Sequence, residues 1–144
     1  MIFVSLTRLR IRSVRFMLGF ALYAFRSLRQ AKKSAGFQIG SVLNDRERTF
    51  WTMTAWDSQA SMRQFMKSGA HKNAMPRLLE WCDEASVAHW EQAETELPSW
   101  AEAAQRMRET GRASKVRCPS AGHATLRFAE PRTSRGVTVV RPER

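Results

Sequence analysis

Thr49-Phe-Trp-Thr-Met-Thr-Ala-Trp56 has the composition and alternation of a β-strand, and it is apolar on both faces. Trp51, Met53 and Ala55 point one way; Phe50 and Trp56 point the other, with Thr52 and Thr54. A strand of this kind lies in a sheet covered on both sides. Immediately before it, residues 37–43 read as a shorter strand and residues 44–48 as a polar turn, so the two strands form a hairpin.

On the N-terminal side, residues 2–12 alternate as a first strand. Val4 and Leu6 fall on one side and Leu9 and Ile11 on the other, which predicts a bulge or register change near Thr7. From residue 13 to 35 the period changes, with Val14, Met17, Leu18, Ala21, Phe25 and Leu28 at three- and four-residue steps and Gly36 as the stop of a long helix. Phe16, Phe20 and Tyr23 make its first half apolar nearly all round, which predicts burial on more than one side.

On the C-terminal side, Asp57 or Ser58 caps a helix whose buried stripe is Met62, Phe65 and Met66, interrupted at Gly69. Pro76 is placed to open a short helix with Leu78, Leu79, Trp81 and Cys82 inside. Residues 86–92 form the last strand, completing β-α-β-β-α-β, the order of the ferredoxin-like α+β fold. Beyond it, Pro98 starts a helix with Trp100, Ala103, Ala104 and Met107 inside, ended by Gly111; residues 124–128 and 136–140 are weak strand candidates. The chain therefore divides into a ferredoxin-like domain, residues 1–97, and a C-terminal helix with a basic, partly irregular tail, residues 98–144. Helices cover only one face of such a sheet, so the apolar second face predicts a homodimer formed through the open sheet face.

A length of 144 residues suits one domain plus a tail, and 43% apolar with 26% charged residues is a globular composition. The net charge of +11 comes mostly from arginine. No Asp or Glu precedes Asp45, whereas Arg8, Arg10, Arg12, Arg15, Arg26 and Arg29 all do. This bias reads either as a solvated basic face or as attraction to an acidic partner, nucleic acid or anionic membrane. Residues 16–25 are an unbroken apolar run, too short to span a bilayer and followed by arginines where a signal-peptide cleavage region is small and uncharged. Cys82 and Cys118 show no ligand or disulfide spacing, so they are expected as free thiols in a cytoplasmic protein.

The strand Phe50-Trp-Thr-Met-Thr-Ala-Trp56, the helix start Asp57-Ser-Gln-Ala-Ser-Met-Arg-Gln-Phe65 and the run Ser68-Gly-Ala-His-Lys-Asn-Ala-Met75 resemble the dimeric α+β barrel superfamily. Within it they are similar to spheroidene monooxygenase and a nearby uncharacterised bacterial family, and more distantly to the antibiotic-biosynthesis monooxygenases. The resemblance spans roughly residues 1–92. It implies a cleft between the sheet and the second helix for a flat or hydrophobic small molecule, and a monooxygenase-like activity. Because haem-degrading members ligate iron through a His late in that helix, it also implies His71 as a haem ligand; their Asn has no counterpart, since the first strand offers Ser5 and Thr7.

The residues themselves leave each role with a plainer alternative. His71 is an axial ligand or a capping or core histidine. Trp56 and Phe65 line a pocket, as Phe50 and Trp51 could, or fill the core and dimer face. Arg8, with Arg10 and Arg12, holds a carboxylate or haem propionate, or lies along a solvated edge. Asp83 and Glu84 are adjacent and make no facing acid/base pair on a helix, and there is no GxSxG, Walker A or GxGxxG motif. A metal at Cys118 and His123 lacks further ligands at a suitable spacing. An RNA-binding module shares the element order, but residues 48–56 lack the glycine and aromatic spacing of its RNP1 octamer, which disfavours nucleic acid.

Overall fold

In the computed structural model, which describes residues 1–133 and 136–143, β1 (Ile2–Ile11) runs through the middle of a six-stranded antiparallel sheet. It pairs with β3 (Thr49–Trp56) on one side, Phe3 opposite Trp56 and Arg8 opposite Trp51, and with β4 (Cys82–Gln92) on the other. β2 (Phe37–Asn44) completes the hairpin with β3. Two strands from the tail extend the sheet at its ends: β5 (Arg112–Ala113) beside β4 and β6 (Val137–Val140) beside β2. The order is β5-β4-β1-β3-β2-β6, a ferredoxin-like sheet with its edges capped by the chain's own C-terminal segments.

The expected irregularity near Thr7 is absent. Pairing of β1 with β4 is continuous from Ile2 to Arg10, and the register shifts between Arg10 and Ile11. Val4 and Leu6 lie on one face of a regular strand while Leu9 and Ile11 lie on the other; both pairs are apolar because both faces are covered.

One face carries α1 (Met17–Lys33, after a 3-10 turn at Val14–Phe16), α2 (Gln59–Met66) and α3 (Gly69–Trp81). α1 crosses α3 at Gly19, where an added Cβ would come within 3.1 Å of the Trp81 ring, so a side chain there would push the helices apart. Pro76 lies inside α3 and does not open it, and α3 begins at Gly69. The proline removes one intrahelical bond on the exposed side, a loss that water can make good. The first half of α1 is not buried all round either: Phe20 faces the sheet, but Val14, Leu18, Leu22 and Phe25 are exposed.

The other face is roofed by α4 (Trp100–Thr110), capped by the Ser99 hydroxyl. Its Trp100, Ala103, Ala104 and Met107 pack on Val4, Leu6, Leu43, Trp51, Met53 and Ala55, and the two alanines let the helix sit close. Phe128 from the tail meets Trp51 edge-on at 5.3 Å between ring centres. The apolar face that predicted a partner is thus covered by this chain's own α4. Residues 124–128 form turns and coil, not a strand.

Candidate functional site

Trp56, at the end of β3, is fully buried, and its indole N–H donates to Thr54 Oγ1 at 3.0 Å. Phe65, near the end of α2, packs on it at 5.2 Å between ring centres, and His71, in the first turn of α3, packs against Phe65 at 4.7 Å. The three aromatic side chains singled out in the sequence therefore come together. The space between the sheet and α2 is not a cleft: Phe3, Phe37, Trp56 and Met62 fill it.

The open space lies on the other side of α2. A groove of about 360 Å³ runs between α2 and the C-terminal half of α1, lined by Gln30, Ser34, Ala60, Ser61, Gln64 and Phe65 among others. This volume is at the lower end of the range for small-molecule sites. Its wall is one aromatic ring amid carboxamides and hydroxyls, with no charged side chain.

Gln30, which the sequence reading did not pick out, ties the groove to His71. Its Nε2 donates to the carbonyls of Phe65 (3.2 Å) and Ser68 (2.7 Å), and its Oε1 accepts the His71 backbone N–H at 2.9 Å. The α2–α3 junction reaches it through Gly69, whose φ of +55° favours glycine and where a Cβ would lie 3.2 Å from the Gln30 carboxamide. The signal was faint: among the basic residues that end α1, Gln30 and Ser27 are the uncharged polar ones.

Burial lowers the His71 pKa below its ordinary 6.5, opposed by a hydrogen bond to the Met66 carbonyl. The ring is therefore neutral at pH 7, and its Nδ1 is enclosed without a hydrogen-bond partner.

Arg8 does not join this site. It points to the α4 face, opposite to Trp56, Phe65 and His71, and β1 is a central strand with no solvated edge. Its guanidinium meets Glu84 Oε1 at 2.6 Å, with both side chains less than a tenth exposed, and lies 4.6 Å from the centre of the Phe128 ring. Arg10 makes a paired contact with Asp83, both bonds 2.9 Å, and reaches Glu84 Oε2 at 3.0 Å. The carboxylates these arginines hold are thus the chain's own: Glu47, 3.6 Å from Arg10, and Asp83 and Glu84, brought opposite them because β4 begins at Cys82 and not at residue 86. Ser120 donates to Glu84 Oε2 at 2.6 Å, and His123 Nε2 meets the Ser114 carbonyl at 2.8 Å, so this polar cluster anchors the tail. Cys82 is buried and Cys118 exposed, both as free thiols. Among the described residues no three His, Cys, Asp or Glu side chains gather as a metal site.

A protein-family model, described as a domain of unknown function (DUF3291), matches residues 20–120. The chain belongs to the DUF3291 family. No curated protein matches its sequence. Solved structures share the fold of this DUF3291 chain. A conserved protein from Methanosarcina mazei matches with a TM-score of 0.57 at 15% identity, over 63% of this chain and 92% of that one. SnoaB, a cofactor-independent oxygenase from Streptomyces nogalater, matches at 0.55 and 12% identity, over 68% of this chain and 98% of its own. A putative antibiotic biosynthesis monooxygenase from Nitrosomonas europaea matches at 0.55 and 9%, over 64% and 90%. This DUF3291 chain therefore shares the ferredoxin-like α+β fold of these proteins. Identities this low carry architecture and not chemistry.

Proposed function

We propose that this DUF3291 protein binds a small, uncharged, partly flat hydrophobic molecule in the groove between α1 and α2, stacked on Phe65, with the Gln64 carboxamide at its polar edge and the hydroxyl oxygens of Ser34, Ser61 and Ser68 as acceptors. The observation that carries this reading is the composition of the groove wall: an aromatic face for apolar surface, and amide and hydroxyl groups that orient without demanding charge.

The residues do not fit haem. His71 is not among the groove's lining residues, its free ring nitrogen is closed in, and Arg8, the expected propionate partner, is ion-paired on the other side of the sheet. Haemin is expected to give no Soret change that depends on His71; a stoichiometric band lost in His71→Ala would reverse this.

A second reading, cofactor-independent oxygenation of the same ligand, is favoured by the likeness to SnoaB. His71 is closed in and does not line the groove, so it is not the base of such a reaction. Dimer formation belongs with this reading only where α4 leaves the sheet face it covers.

The test is a fluorescence titration with N-phenyl-1-naphthylamine, a neutral flat probe. Ala60 is exposed and lines the groove, so Ala60→Trp blocks the site without touching the core. Binding weakened by roughly tenfold or more in that variant supports the groove; unchanged binding rules it out.

A further inference from the structure

The outer side of α1 carries an apolar stripe that no other element covers among the described residues. Leu18 is 84% exposed, Phe25 61% and Leu22 48%, and Val14 in the turn before the helix is 72% exposed. At 100° per residue, Leu18, Leu22 and Phe25 share one sector, away from Gly19 and Tyr23, which meet Trp81 of α3. Along the axis the same side turns basic: Arg26, Arg29, Lys32 and Lys33 follow, all exposed, and exposed Arg15 precedes. Across the three helices of this layer the lone acidic residue is Glu80.

A large apolar surface ringed by cations and nearly free of carboxylates is complementary to one kind of partner. A second copy docked on it would bring like charges together with nothing to pair them. Nucleic acid would satisfy the arginines and leave Leu18 and Leu22 without a role. An anionic bilayer supplies both a phosphate layer and, about 5–10 Å deeper, an acyl layer for the apolar face of a helix. No described helix is long and apolar enough to cross a membrane, so the geometry is that of a helix lying in the interface.

We propose that α1 seats this protein on an anionic lipid surface, with Val14, Leu18, Leu22 and Phe25 entering the headgroup–acyl boundary and Arg15, Arg26 and Arg29 on the lipid phosphates.

The test is co-sedimentation of the full chain with vesicles of equal parts phosphatidylglycerol and phosphatidylcholine, against phosphatidylcholine alone, at about physiological salt. Leu18→Ser/Phe25→Ser and Arg26→Glu/Arg29→Glu alter exposed side chains, and circular dichroism confirms that both fold. The expected result is binding to the anionic vesicles alone, reduced roughly tenfold or more in each variant. Loss in the charge variant only would reduce the contact to non-specific attraction and overturn the proposal. So would tight binding of a single-stranded oligonucleotide with no vesicle binding, or a dimer that Leu18→Ser/Phe25→Ser dissociates.

Discussion

Gln30 of α1 accepts the backbone N–H of His71 in α3 at 2.9 Å, joining two elements 41 residues apart. Its amide nitrogen bonds the Phe65 carbonyl in the last turn of α2 and the Ser68 carbonyl just before α3 as well, so one side chain fixes the mutual position of all three helices and one wall of the groove. Gln30→Ala leaves the His71 N–H without its partner in a half-buried setting, while the Phe65 and Ser68 carbonyls keep the N–H groups of Ser68 and Lys72. The expected cost is about 2 kcal/mol by urea denaturation, with weaker probe binding. Gln30→Glu sets a carboxylate oxygen against the Phe65 and Ser68 carbonyls, and is expected to cost at least as much as Gln30→Ala.

Glu84 separates stability from binding. Burial pushes its carboxyl up, and the Ser120 hydroxyl with the Arg8 and Arg10 guanidiniums outweighs that and holds it below its ordinary 4.5. The unfolded chain therefore takes up this proton first, and the stabilisation, present above about that value, is lost as pH falls through the lower folded value. Glu84→Gln strands Arg8 against Phe128 and Trp51, at an expected cost of about 3 kcal/mol near neutrality. The variant's stability should change less with pH on the acid side, while probe binding at the groove, across the sheet, stays at the wild-type level.

His71 works in a higher pH window. Its folded pKa is depressed, so the protein loses stability as pH falls from about 6.5 towards the folded value. His89 is depressed as well, by burial and then by Arg112 and Arg63, and shares the slope. His71→Gln is expected to remove part of it and His89→Gln the rest. NMR titration of the ring protons checks the site directly: a His71 midpoint at or above 6.5 contradicts the packing against Phe65.

α4 replaces a partner on the second sheet face, so stripping its contacts should expose that face. Met107 is fully buried and Trp100 nearly so. Trp100→Ser/Met107→Ser is expected to lower stability by about 4 kcal/mol or more and to raise the light-scattering mass above wild type at equal concentration, as Trp51, Val4 and Leu6 meet other copies. An unchanged mass and stability would mean that α4 is not the cover.

Legibility in the sequence followed the periodicities. β3 is read residue for residue because an eight-residue alternating run between a polar turn and a helix cap has one reading, and its two-sided apolarity correctly required two covers. That the second cover is α4 was not legible: Trp100, Ala103, Ala104 and Met107 mark a buried helix face without saying whose sheet it meets. The same limit explains α1, where a continuous apolar run shows that the helix is hydrophobic and not which side is left bare. Trp56, Phe65 and His71 are in contact because the end of β3, the end of α2 and the start of α3 meet on one side of the sheet. Arg8 misled because alternation gives its face but not its neighbours; Glu84 meets it through a β4 that starts four residues earlier than its apolar run suggests.

The groove is tested most directly by amide chemical-shift mapping with N-phenyl-1-naphthylamine. The largest shifts are expected on the Gln30 and Gln64 side-chain amides and on the backbone of Ser34, Ser61 and Ser68, with Ala60→Trp abolishing them. Shifts centred on Trp51, Phe128 and α4, or no shift at saturating probe, would contradict it.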